Sequence, residues 1–157
     1  MDKVPMTERG YGMLQEEMKR LRTVERPAVI NALEEARTHG DLSENAEYHA
    51  AKERQAFIEG RLMELEDKVS RAQVIDPRSL SGDVVRFGAT VTLADEDTDE
   101  ESTYQIVGED EGDIRNGLLS LTSPLARAMI GKETGDSIEV TAPGGSRAFE
   151  IMKVKYD

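Results

Sequence analysis

The chain has 157 residues, of which one third are charged and 4% aromatic; it has no Cys or Trp and a formal net charge of −12. The lack of Cys excludes a disulfide framework and a zinc–thiolate site, and the lean aromatic content suits a partly elongated protein better than one compact globule. Residues 1–75 carry 12 basic and 15 acidic side chains, residues 76–157 carry 8 and 17, and so acidic a surface repels phosphate backbones and argues against gripping free DNA or RNA directly. A partner protein, one with a basic surface, fits better. No signal-like start and no membrane-length apolar run are present, so the sequence predicts a cytoplasmic protein.

In chain order, Thr7 is a good helix cap, with Met6 and Tyr11 at the staple positions around it. Tyr11, Leu14, Met18 and Leu21 then recur in steps of three and four. Pro27 interrupts the rhythm, and Val29, Leu33 and Ala36 resume it with a phase slip, which predicts a kink or local irregularity. A second run, Tyr48, Ala51, Gln55, Ile58, Leu62, Leu65, Val69 and Ala72, is a heptad seam with one polar position. If the two runs fold back on each other, Leu21 with Leu62, Met18 with Leu65, Leu14 with Val69 and Tyr11 with Ala72 share one midpoint, between Asp41 and Leu42. The turn signals fall there too. Gly40 can close a helix in the left-handed conformation, Asp41 or Ser43 can cap the next one, and Asp41 and Glu44 have capping-box spacing. Each arm is then roughly 45–50 Å long. An antiparallel coiled coil serving only as a spacer or dimer seam fits this rhythm equally well.

The second half changes to strand rhythm. Val84–Phe87, Ala89–Leu93, Thr103–Val107, Leu118–Thr122, Ile138–Val140 and Phe149–Val154 read as strands, the last two flanking the hairpin signal Pro143-Gly144-Gly145. A short helix is capped by Ser123, has Pro124 at its first position and ends at Gly131. The link between the halves falls at residues 76–82. The fold class is α+β, a helical hairpin followed by a small α+β domain.

Few side chains suit catalysis. His39 and His49 are the only histidines and read as helix-end and solvated helix residues. The acidic run Asp95–Glu101 lacks the central glycine and final Glu of a calcium loop and reads as a solvated hairpin loop. At the tip, Asp41, Glu44 and Glu47 are spaced by three, so they can share one side of a helix start. A helix N-terminus accounts for one carboxylate easily and for three less well. Two carboxylates alone make a poor magnesium site; they suit a site completed elsewhere, such as a two-metal phosphoryl-transfer centre.

The stretch Gly40–Glu53 (GDLSENAEYHAAKE) resembles the tip motif of the bacterial Gre transcript-cleavage factors, of the GreA type. The resemblance extends along the chain through Met6-Thr7, Arg26-Pro27, Ala72–Asp76, Phe87–Val91, Tyr104–Gly108, Ser123–Ala126 and Pro143–Gly145. It implies an antiparallel coiled-coil hairpin over residues 1–76 and an FKBP-like, polymerase-docking domain over 77–157. The partner implied is bacterial RNA polymerase, with nascent RNA and DNA met only inside the elongation complex, no membrane, and a monomeric factor. The resemblance further implies that the hairpin passes down the secondary channel, where Asp41 and Glu44 would help hold a magnesium ion shared with the polymerase, and that the polymerase cuts the backtracked RNA. The factor itself is then not an enzyme. Arg37 and Lys52 match an RNA-proximal basic patch, although Lys52 stands where some relatives have Arg and so lacks the planar fork. Ser43, Asn45, Glu47 and Tyr48 support the tip, and Ser123 and Pro124 lie toward the polymerase. The rival readings are a secondary-channel inhibitor, which differs at the tip, and an FKBP-like isomerase or chaperone, which the few aromatics of the second half disfavour.

Overall fold

A computed structural model describes residues 2–41 and 44–157, for Ala142 the backbone alone. The chain divides into two compact units, one of residues 1–2 and 11–72, the other of residues 3–10 and 73–157.

The first unit is the helical hairpin. Its first arm is α1 (Glu8–Arg20, whose first turn belongs to the second unit), a π-helical turn at Leu21–Glu25, and α2 (Arg26–Arg37); its second arm is α3 (Ala46–Ser70). The phase slip is resolved by that π turn, in which the Arg26 N–H bonds the Leu21 carbonyl five residues back. The cause is Pro27, which has no N–H to offer and whose ring crowds the carbonyl four residues earlier. The wide turn absorbs one extra residue, so Val29 returns to the face of Leu21 although eight positions separate them. The buried seam joins Leu14, Leu21, Val29, Leu33 and Ala36 to Ala51, Ile58, Leu62 and Leu65. Each fully buried Leu or Ile contributes about 1.5–3 kcal/mol.

Charges fix the register on either side of the seam. The Arg61 guanidinium donates to Glu17 at 2.6 and 2.9 Å, Arg22 to Glu66 at 2.6 Å and Arg26 to Glu59 at 2.7 Å, while Arg54 pairs with Glu25. From Glu17–Arg61 to Glu25–Arg54, and from Arg22–Glu66 to Arg26–Glu59, the partner moves down α3 as the first arm moves up, so the hairpin is antiparallel, as expected. One expectation fails at its end: Ala72 is not helical. Helix α3 stops at Ser70, and Ala72 opens strand β2 (Ala72–Val74), which pairs with β1 (Val4–Met6).

The second unit is built on a five-stranded sheet in the order β5-β4-β3-β7-β6, with β3 (Thr90–Asp95), β4 (Glu101–Val107), β5 (Leu118–Ser120), β6 (Ser137–Ala142) and β7 (Gly145–Lys155). All ladders are antiparallel except β4 with β5. Val91, Leu93, Ile106, Leu119, Ile138, Ile151 and Val154 point into one core with Ala126 and Met129 of the short helix α4 (Pro124–Met129). The segment Val84–Phe87 is not a strand. Val84 makes a single bridge to Glu133, and Val85 is buried while bonding the backbone of Gly131 and Lys132. The Tyr156 hydroxyl donates to the Val84 carbonyl and accepts the Arg86 N–H. Val85 is buried and Val84 half-buried, but a loop and a tyrosine satisfy their backbone instead of the expected ladder.

Residues 3–10 join this unit through the β1–β2 pairing, in which the Ile75 N–H bonds the Met6 carbonyl at 2.9 Å, and through one carboxylate. Glu111 is only 8% exposed. Its Oε2 accepts the N–H of Thr7 at 3.0 Å and of Gly108 at 2.9 Å, and its Oε1 accepts the Thr7 hydroxyl. Thr7 caps α1, its Oγ1 accepting the Gly10 N–H at 3.1 Å, so the carboxylate sits at the positive end of that helix. Gly10 is required there, because a Cβ would come within 2.2 Å of Glu111 Cδ. Glu111→Ala strands two buried N–H groups and is expected to cost about 2–4 kcal/mol, and Gly10→Ala is expected to lower the midpoint likewise; denaturant unfolding of the two variants checks this.

The flanking charges give a pH dependence. The Arg61 guanidinium holds the Glu17 carboxyl below the usual glutamate range, and Arg54 does the same for Glu25. A carboxyl whose pKa is depressed by folding stabilises the fold above its unfolded value and loses that contribution as pH falls through the folded one. The thermal midpoint of the helical signal is therefore expected to be flat near neutrality and to fall as pH drops below about 4.3. Arg61→Met should make that fall shallower; circular dichroism melts across the range check it.

Candidate functional site at the hairpin tip

The turn between the arms begins where α2 runs out. Thr38 donates its N–H and its hydroxyl to the Glu35 carbonyl at 3.1 and 2.7 Å, and the His39 N–H bonds the Ala36 carbonyl at 3.1 Å. Gly40 then takes φ +110°, a left-handed value that a side chain resists. This is the role expected of it. Asp41 follows, exposed.

The start of the second arm corrects the sequence reading. Neither Asp41 nor Glu44 caps α3, and the two do not lie within its first turn. The cap is Asn45, at φ −87° and ψ 100°, whose side chain accepts the Tyr48 N–H at 3.1 Å. Asp41-x-x-Glu44 has the spacing of a capping box, but the helix begins only at Ala46, so the box has no helix to close. The signal that could have found the cap is Asn, among the best capping residues, placed directly before the apolar run that starts at Tyr48. Its amide also reaches backward, donating through Nδ2 to the Ala36 carbonyl at 2.6 Å. Ser43 and Leu42 lie outside the described residues.

The remaining residues fall around this turn. Glu47, in the first turn of α3, meets His39 across the loop, Nδ1 to Oε2 at 3.1 Å. Tyr48 is half-buried and packs edge-on against the His49 ring, with centroids 5.6 Å apart. His39, Asp41, Glu44, Asn45, Ala46 and Glu47 line one shallow, open depression. Thus Asp41, Glu44 and Glu47 line the same depression, although not as one helical face, and among the described residues no three acids or histidines are placed to hold a metal ion. Arg37 ends α2 and Lys52 lies in the second turn of α3. Both are exposed, and no described contact joins them. In the other unit, Ser123 caps α4, its Oγ accepting the Ala126 N–H at 3.2 Å, with Pro124 at the first helical position. Both have this local role whatever else they meet.

Among the described residues, no helix is long and apolar enough to cross a membrane. A family model described as transcription elongation factor, N-terminal, matches residues 4–74, and one described as transcription elongation factor, GreA/GreB, C-term, matches residues 80–156. The class is therefore a two-part elongation factor, a helical hairpin carrying an acidic tip and a sheet domain. The chain belongs to the GreA/GreB transcription elongation factor family. It is 67% identical over 156 residues to the transcription elongation factor GreA of Phenylobacterium zucineum, with 99% of each chain covered. To that of Maricaulis maris it is 66% identical over the same length and coverage. The crystal structure of GreA factor homolog 1 of Thermus thermophilus aligns with 97% of this chain and 98% of its own at 29% identity, with a TM-score of 0.44. Family membership over the full length disfavours the isomerase and bare-spacer readings.

Because Asn45 is the cap, hairpin stability should depend on it rather than on the acids. Asn45→Ala is expected to cost about 1–3 kcal/mol through the lost cap and the Ala36 bond. Asp41→Asn and Glu44→Gln should each cost less than half as much, read as thermal midpoints of the helical signal.

Proposed function

We propose that this elongation factor acts on bacterial RNA polymerase, rescuing backtracked complexes by carrying Asp41 and Glu44 to the polymerase's active centre and stimulating its cleavage of the nascent RNA. The observation that carries the proposal is the division of labour at the tip: Asn45 makes the helix cap, so helix formation does not account for the two exposed acids beside it. Family membership supplies the process.

Asp41 and Glu44 are hard oxygen donors of the kind magnesium takes, both exposed between the end of α2 and the start of α3. They fit as two ligands of an ion whose other partners come from the polymerase and the RNA. When bound, such an ion supplies a nucleophile and offsets charge in an in-line displacement. The factor's own part is narrower. Asp41 and Glu44 present negative oxygens, Gly40 and Asn45 hold the backbone that carries them, and Arg37 and Lys52 offer positive charge toward extruded RNA. On this reading the hairpin enters the secondary channel while the domain carrying Ser123 and Pro124 docks at its rim.

Asp41→Asn and Glu44→Gln keep size and some hydrogen bonding but remove a charge. Each should slow RNA cleavage in a stalled, backtracked complex by about tenfold or more, with partial relief at higher magnesium, and leave affinity for the polymerase within about twofold. The measurement is cleavage rate alongside binding. Full cleavage by the double variant, or loss only in step with weaker binding, contradicts the ligand role.

A further inference from the structure

We infer that Asn45 is a positioning residue for the tip acids, acting through both ends of its amide; the inference rests on the proposed role of Asp41 and Glu44. One side chain joins the end of α2 to the start of α3. Asn45 Nδ2 donates to the Ala36 carbonyl at 2.6 Å, and its Oδ1 accepts the Tyr48 N–H at 3.1 Å. The Ala36 end is firm, because Ala36 is 2% exposed within the seam and its carbonyl also takes the His39 N–H. The Tyr48 end is firm because it lies in the first turn of a 25-residue helix. Asp41 and Glu44 thus sit on a loop clipped at its base to two rigid elements.

Such a clip fixes the spacing of the two helix ends beside Asp41 and Glu44 before any partner is met, which lowers the cost of aligning two ligands at once. A cap needs only an acceptor, and Ser, Asp or Thr supplies one. A hydroxyl can also donate, but from one atom on a shorter side chain, whereas the Asn45 amide carries acceptor and donor on two atoms that reach α3 and α2 together. Asp would keep the cap and set a carboxylate oxygen against the Ala36 carbonyl; Ser would keep the cap and leave that carbonyl without the bond.

The halves are separated by Asn45→Ser and Asn45→Asp in the full-length chain, tested on a stalled, backtracked polymerase complex over a range of factor concentrations. The positioning role predicts that Asn45→Ser retains the helical signal and a half-saturating concentration within about twofold of the parent. Its cleavage rate at saturating factor should fall about tenfold, and Asn45→Asp, which keeps the acceptor, should not rescue it. A pure cap predicts parental rates for both. Saturated cleavage by Asn45→Ser within about twofold of the parent, or a loss that higher factor concentration abolishes, overturns the positioning role. The double variant of Asp41 and Glu44 runs beside them. If it cleaves fully, the ligand role itself is wrong; if it is inactive while Asn45→Ser is normal, only the positioning inference fails.

Discussion

A helical hairpin must break its hydrogen-bond ladder at the turn, which leaves carbonyls unpaired at the end of one arm and N–H groups unpaired at the start of the next. In this chain both kinds are met within a few residues. Thr38 and His39 turn back on the last carbonyls of α2, and Asn45 serves the ends of both helices with one amide. With Asn45 as the cap, the start of α3 does not call on Asp41 or Glu44.

The rest of the first unit serves the same end. A seam of Leu, Ile, Val and Ala runs along both arms, and arginine–carboxylate pairs flank it. Exposed ion pairs contribute little stability. Their value here is register, since a slip of one turn would take these charges off their partners. The π turn before Pro27 belongs to the same account. It costs regular hydrogen bonding in one arm and restores the apolar face to the seam.

The second unit obeys a different constraint. Its sheet encloses its core with α4, and it also claims residues 3–10. A buried carboxylate there is tolerable only with its oxygens satisfied, and Glu111 is satisfied by Thr7 and by Gly108. A chain segment far away in sequence therefore completes this domain, and Gly10 leaves the space for it.

The sequence by itself determined the hairpin, the irregularity around Pro27, the left-handed Gly40, the Ser123 cap and most strands of the second half. Each of these follows from local chemistry or from periodicity, which a single chain carries openly. The tip motif pointed to the family. The tertiary structure decided what depends on a partner distant in sequence. Whether Asp41, Ser43 or Asn45 would cap α3 turned on where the helix starts, and several polar residues in a row compete for that post. Val84–Phe87 has strand composition but found its hydrogen bonds in a loop and in Tyr156. Ala72 fits the heptad and yet joins β1, because strand pairing with Val4–Met6 competes with one more helical turn. Glu111 gave no local sign at all: in a sequence this acidic, one carboxylate looks like any other until Thr7, more than a hundred residues away, is folded against it.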